Sequence, residues 1–233
     1  MTVLAAAQAA GLRLLGVKPI SLFSAPDQVA QELADLAGDV AADIVGAHDW
    51  QALKELAELA GDGATIALDL PADFGRMVKD PKIHSKRYPL TDFCAAADED
   101  DWLRLADLGF AATPGTWIML GGKLNVYPAM PVGEAARFYY IRSRPVRSAA
   151  GERKASFTED TDEFFLAQRL LELGLIWRWR AQKRMEYAED LANYEKALES
   201  AVAADKGGKL LKPRRRARIG DASRPVYPGA IVR

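Results

Sequence analysis

Hydrophobic positions near the start of the chain fall into a helical rhythm. Val29, Leu33, Leu36, Val40 and Ile44 are separated by four, three, four and four residues, which places them on one face of a helix. Gln31, Glu32, Asp35, Asp39 and Asp43 fall mostly on the other face. The pattern predicts a helix over 27–47, with Ser24 as its cap, Pro26 where a first-turn proline is tolerated, and Asp27 at the positive end of the dipole. Before it, the Ala- and Leu-rich stretch from Thr2 to Leu15 predicts a short helix stopped by Gly16 and Pro19. Gln51 to Ala60 is rich in helix formers and is open to being an extension of the 27–47 helix after a break near Gly46. Gly61-Asp62-Gly63 is a turn signal, and Thr65 to Leu70 has the look of a short strand.

From Pro71 to Phe157 prolines and glycines are frequent and apolar runs are short. Thr116 to Leu120, Lys123 to Tyr127 and Ala136 to Ile141 predict strands, the first two joined by a hairpin turn at Gly121-Gly122. Asp98 to Leu108 predicts a short acidic helix with Trp102, Leu105 and Leu108 inward. The longest element is expected from Thr161, as a cap, to about Ala204. Its stripe comprises Phe165, Leu166, Leu170, Leu173, Trp177, Tyr187, Leu191, Tyr194 and Leu198, with a kink or break at Gly174 as one option. Gly207-Gly208 ends it.

Composition adds an electrostatic asymmetry. The net charge is −1, yet the stretch from Lys206 to Arg233 holds nine basic residues and one acid, so it carries +8 and residues 1–205 carry −9. With three prolines and little periodicity, this tail is expected to stay unfolded alone and to extend along a partner. Leu210, Leu211, Ile219, Val226, Tyr227, Ile231 and Val232 are its apolar anchors, and Arg214, Arg215, Arg216 and Arg218 its basic cluster. The lone Cys94 allows no internal disulfide, no stretch is apolar enough for a membrane span, and the N-terminus lacks the pattern of a signal peptide.

Little in the chain points to catalysis. His48 and His84 have no ligand-spaced partners, so no metal site and no cofactor is expected, and neither phosphate-binding glycine motifs nor a nucleophile elbow occurs. Asp98-Glu99-Asp100-Asp101 reads as a solvated helix start, and Asp160 and Asp162 as caps, in preference to a carboxylate pair or an ion site. The run Trp177-Arg178-Trp179-Arg180 sets its tryptophans about 200° apart around a helix, too far for one stacking platform. Trp177 suits the core stripe. Arg178, Trp179 and Lys183 suit packing on a neighbouring helix or subunit.

An ordered set of short motifs carries a resemblance. It comprises Leu14-Leu15-Gly16, Asp49-Trp50-Gln51-Ala52-Leu53, Leu68-Asp69-Leu70-Pro71-Ala72-Asp73-Phe74-Gly75-Arg76-Met77 and Phe157-Thr158-Glu159-Asp160-Thr161-Asp162. Leu173-Gly174-Leu175-Ile176-Trp177-Arg178, Met185-Glu186-Tyr187-Ala188-Glu189-Asp190 and Tyr194-Glu195-Lys196-Ala197-Leu198 complete it. Over residues 2 to 204 the chain resembles the head-to-tail adaptor proteins of tailed bacteriophages. The resemblance implies a structural, non-enzymatic subunit of the virion, assembled in the host cytoplasm. It implies a dodecameric ring between the portal protein and a downstream tail or nozzle protein. DNA would pass through that ring without sequence-specific binding. It implies that the C-terminal segment docks on the portal, and it suggests a strand over residues 52 to 60. The expected fold class is α+β, predominantly α: a helical bundle (1–60 and 158–205), a β-rich central insertion (61–157) and an extended basic C-terminal tail (206–233). Two other readings stand beside it: a nucleic-acid-binding protein using the tail and the Trp-Arg helix, and a cell-wall hydrolase.

Overall fold

A computed structural model describes residues 2–24, 27–108 and 113–206. Two helices open the chain, α1 (Val3–Leu15) and α2 (Gln28–Ala47). Thr2 caps α1 through its side chain, and Gly16, at φ 72°, ends it in the left-handed conformation that glycine adopts without steric cost. For α2 the cap is Asp27, which accepts the Val29 N–H, and Leu33, Leu36, Val40 and Ile44 are buried as the rhythm predicts.

The chain then enters a sheet. Its strands are β1 (Lys54–Ala60), β2 (Ala67–Asp69), β3 (Phe74–Met77), β4 (Ile83–Ser85), β5 (Asp92–Ala95), β6 (Thr116–Leu120), β7 (Lys123–Tyr127) and β8 (Ala135–Arg142). They run in the order β1-β8-β4-β5-β6-β7-β2, with β3 sharing the edge of β8 that β4 occupies. All pairings are antiparallel except β5 with β6. Gly121 and Gly122 have φ of 59° and 72°, so β6 and β7 are joined by the tight turn the sequence predicts. Between β5 and β6 lies α3 (Glu99–Leu108), whose Trp102 meets Tyr127 edge-on at 6.4 Å. A small second sheet joins β9 (Val146–Arg147), β10 (Arg153–Lys154) and β11 (Glu163–Phe164). Two helices close the described chain, α4 (Gln168–Gln182) and α5 (Ala188–Asp205).

This arrangement corrects the expected fold class. The protein is not a predominantly α bundle carrying a β insertion; a large, nearly closed mixed sheet stands beside the five described helices. The reason lies in pairing that the sequence cannot display locally. Lys54–Ala60 has helix-forming residues but pairs along its whole length with β8, and seven residues in register outweigh weak intrinsic propensity.

The long C-terminal helix is also corrected. It starts at Gln168, not near Thr161, and it breaks at Arg184, where φ is 56°, while running straight through Gly174. Asp162 does not serve a helix. Its fully buried carboxylate accepts the N–H groups of Thr158 (2.8 Å) and Glu159 (3.0 Å) and the Lys154 ammonium (3.0 Å), and its carbonyl accepts the Val3 N–H (2.7 Å). Such local side-chain bonds hold the backbone in a loop where a helix would otherwise begin.

Two apolar cores result. One joins α1, α2, α4 and α5 to the small sheet; the other fills the inside of the large sheet around Phe138, Ile83, Leu124 and Val126. β8 serves both: Phe138 and Tyr140 face the sheet interior, and Ile141 faces the helices.

Candidate interaction surfaces

The Trp-Arg run lies on α4, between two helices. Arg178 reaches Asp39 (3.5 Å) and Asp43 on α2, and Lys183 donates to Glu32 Oε1 at 2.8 Å. Trp179 is buried behind them, with the Lys183 ammonium 5.6 Å from its ring centre. Lys183 holds the Glu32 carboxyl below the usual carboxylate range, against the opposing effect of desolvation. The three residues singled out for an interface therefore stand together, and within the chain they meet α2. Trp177 points to α5, with ring centres 6.4 Å from Tyr187 and 6.0 Å from Tyr194.

The seam closes because of Gly174. A Cβ there would lie 2.3 Å from Val40 Cγ1, so α2 and α4 approach to a distance only glycine permits. The sequence showed this residue as a mid-helix weakness, whereas its task is contact.

α5 is held lightly. Tyr194 is its one buried residue; Arg180 pairs with Asp190 near its start at 2.6 Å. At its end Asp205 accepts the Gln51 N–H (3.1 Å) and lies 3.2 Å from His48 Nε2. The same corner holds Asp49, bound by Arg76 and by the Lys79 N–H (2.6 Å). Burial alone would push the Asp49 carboxyl up, but these donors outweigh it and keep the carboxyl below its ordinary value. Sequence reasoning missed this corner, since its members are scattered along the chain. Tyr194→Ala should free α5 while the rest stays folded. Its amides should then exchange with solvent near the rate of unstructured chain, while those of β8 keep their protection. Unchanged protection of α5 would contradict so light an attachment.

Two apolar corners are exposed yet pinned. In the loop after α1, Ile20 is 94% and Val17 65% exposed, while Asp160 accepts the N–H groups of Leu22 (2.8 Å) and Phe23 (3.2 Å). At the far end of the sheet Leu90 is 91% and Val132 77% exposed. The loops bearing them are tied by the buried Glu134, which accepts from Ser85 Oγ (3.0 Å) and from the N–H groups of Arg87 (3.1 Å) and Ala135 (2.9 Å). Large apolar side chains on fixed backbone suit contact with another protein.

The residues first considered for chemistry sit apart. His84 pairs with Asp92 at 2.7 Å on the sheet surface, Asp98 accepts the Asp101 N–H (2.7 Å), and Cys94 is exposed. Asp160 and Asp162 spend their oxygens on backbone and lysine. Among the described residues no group of three or more His, Cys, Asp or Glu side chains is placed to hold a metal ion, and no helix is long and apolar enough to cross a membrane. The tail residues expected to dock, Leu210, Leu211, Arg214, Arg215, Arg216, Arg218, Ile219, Val226, Tyr227, Ile231 and Val232, lie outside the described residues.

A family model described as SU10 adaptor protein matches residues 1–227. No curated protein matches the chain.

Proposed function

We infer the role of this chain from a plain premise: it belongs to the SU10 adaptor protein family, a family of phage head-to-tail adaptors. Membership makes it a structural component of the virion that contacts head and tail parts. Beyond that, we propose a ring of identical subunits, twelve in number, seated between the portal and the next tail component. DNA crosses its lumen without base-specific contacts. The basic C-terminal segment docks on the portal, with Leu210, Leu211, Ile219, Val226, Tyr227, Ile231 and Val232 as apolar anchors and Arg214, Arg215, Arg216 and Arg218 for charge. Neighbouring subunits meet along the α2–α4 seam, at the exposed parts of Arg178 and Lys183 with Trp179 behind them.

One observation carries this reading: the family match does not stop at the folded body but continues through most of the basic segment, to residue 227. A segment that belongs to the family pattern, carries +8 and cannot build a core suits a partner surface better than solvent. Deleting Lys209 to Arg233 should leave the body folded and abolish attachment to purified portal rings in a pull-down. Undiminished attachment by the truncated chain would overturn the reading. Native mass measurement of the assembled ring tests the subunit number.

A further inference from the structure

An apolar cleft of about 290 Å³ opens between the C-terminal half of α2 and the end of β8. Gly38, Ala41, Ala42 and Val45 line one side, Ile141 and Phe157 the other. The nearly buried Arg142 side chain also lines it; one end pairs with Glu55 at 2.8 Å, and its Nε has no acceptor among the described residues. Gly46 and Arg76 belong both to this cleft and to an adjoining depression, and the wall of that depression includes Lys206. The described chain therefore ends beside an open apolar cleft.

We propose that in the free subunit Leu210 and Leu211 of the same chain seat in this cleft, and that the basic residues after them run along the acidic edge of α2.

Distance, polarity and charge agree. Leu210 and Leu211 are the first large apolar residues after Lys206, beyond Gly207-Gly208. Four or five extended residues span up to about 17 Å. Asp205 touches His48, and from there back along α2 to Gly38 is about 15 Å at a helical rise of about 1.5 Å per residue. Lys212 and Arg214 then come level with Asp35, one turn beyond Asp39 and Asp43. Asp39 and Asp43 share a single cation, Arg178, and Asp35 has no ion pair among the described residues. A peptide carbonyl entering the cleft would also offer the Arg142 guanidinium the acceptor it lacks. The proposal uses no portal contact, so it stands or falls separately from the role assigned above.

Cysteine trapping in the full chain tests it. In a Cys94→Ser background, Ala42→Cys combined with Leu211→Cys should form a disulfide within the monomer, since that bond requires Cα atoms about 4.4–6.8 Å apart. The pair Ala203→Cys with Leu211→Cys, within reach of the same tail but on the exposed side of α5, should form it at least about five times more slowly. Equal trapping in both pairs, no trapping in the cleft pair, or disulfide-linked dimers would each overturn the proposal; dimers would mean that the tail of a second copy fills the cleft. Ala42→Lys, at an exposed helical position, crowds the cleft mouth and repels a basic tail. Initial tryptic cleavage between Lys212 and Arg218 should then rise by about fivefold over the unmodified chain, and an unchanged rate would also overturn it.

Discussion

A chain with Gly174→Leu is expected to lose the folded state, and even Gly174→Ala should lower the thermal midpoint. Helix propensity alone forecasts the opposite for alanine, a gain of about 1 kcal/mol. The structure reverses the sign. The new Cβ would stand 2.3 Å from Val40 Cγ1, and a valine in a helix has essentially one rotamer to offer, so α2 and α4 must separate. Overpacking of this kind costs about 1–3 kcal/mol for a single added carbon, and more for a whole leucine. For a chain of this length each kcal/mol moves the midpoint by about 2–4 °C. Separation would also disturb the ion pairs of Arg178 and Lys183, which span the same seam. The decisive comparison is a double-mutant cycle: Val40→Ala with Gly174→Ala should cost less than the two single changes added together. Simple additivity, or a higher midpoint for Gly174→Ala, would refute the close approach.

Asp162→Ala is expected to cost about 2–4 kcal/mol, from two part-buried backbone N–H groups left without an acceptor, each at the lower end of the about 1–3 kcal/mol that such a loss costs. The carboxylate is inaccessible to solvent and satisfies two backbone N–H groups and Lys154; its loss strands the two N–H groups, while Lys154 keeps Glu159 and the Thr158 hydroxyl. It also loosens the loop whose carbonyl bonds to Val3, at the start of α1. Burial pushes the Asp162 carboxyl up, but the Thr158 N–H, Lys154 and the Glu159 N–H outweigh it, and the group titrates below its ordinary value. Its folded pKa therefore lies under the unfolded one, near 3.9. The stability it supplies is complete above that value and is lost as pH falls through the folded pKa. As the pH falls below about 4, the unmodified protein should lose stability more steeply than Asp162→Ala, and the two acid unfolding curves should converge. Parallel curves through that window would show that Asp162 is not the group responsible.

Much of the helical layer was legible because its signals are local. The rhythm from Val29 to Ile44 lies within one element, and the Gly121-Gly122 turn joins neighbouring strands. The sheet was legible only in part: Thr65 to Leu70, Thr116 to Leu120, Lys123 to Tyr127 and Ala136 to Ile141 read as strands, and strands form there, while the evidence for the rest is distributed. In Lys54–Ala60 the buried residue is Ala57 while Leu56 points to solvent, so alternation of apolar residues gives no strand signal. What makes it a strand is Ala135–Arg142, far along the chain. Ile83–Ser85 is too short to show a period at all. The break between α4 and α5 falls at Arg184, with neither proline nor glycine to mark it. At the interaction surfaces, Arg178, Trp179 and Lys183 could be grouped because helical spacing brings them together. The corner of His48, Asp49, Arg76 and Asp205 could not, since only the folded chain assembles it.

Neighbouring residues of β8 plug into different cores, Tyr140 into the sheet and Ile141 into the helical layer. Mechanically, that strand is a spar set into two blocks. Tension applied to the packed helices α1, α2 and α4 would travel through it to the tip bearing Val132, and neither block could slip without pulling side chains from the other. Heating or stretching should therefore make the two halves give way in a single event.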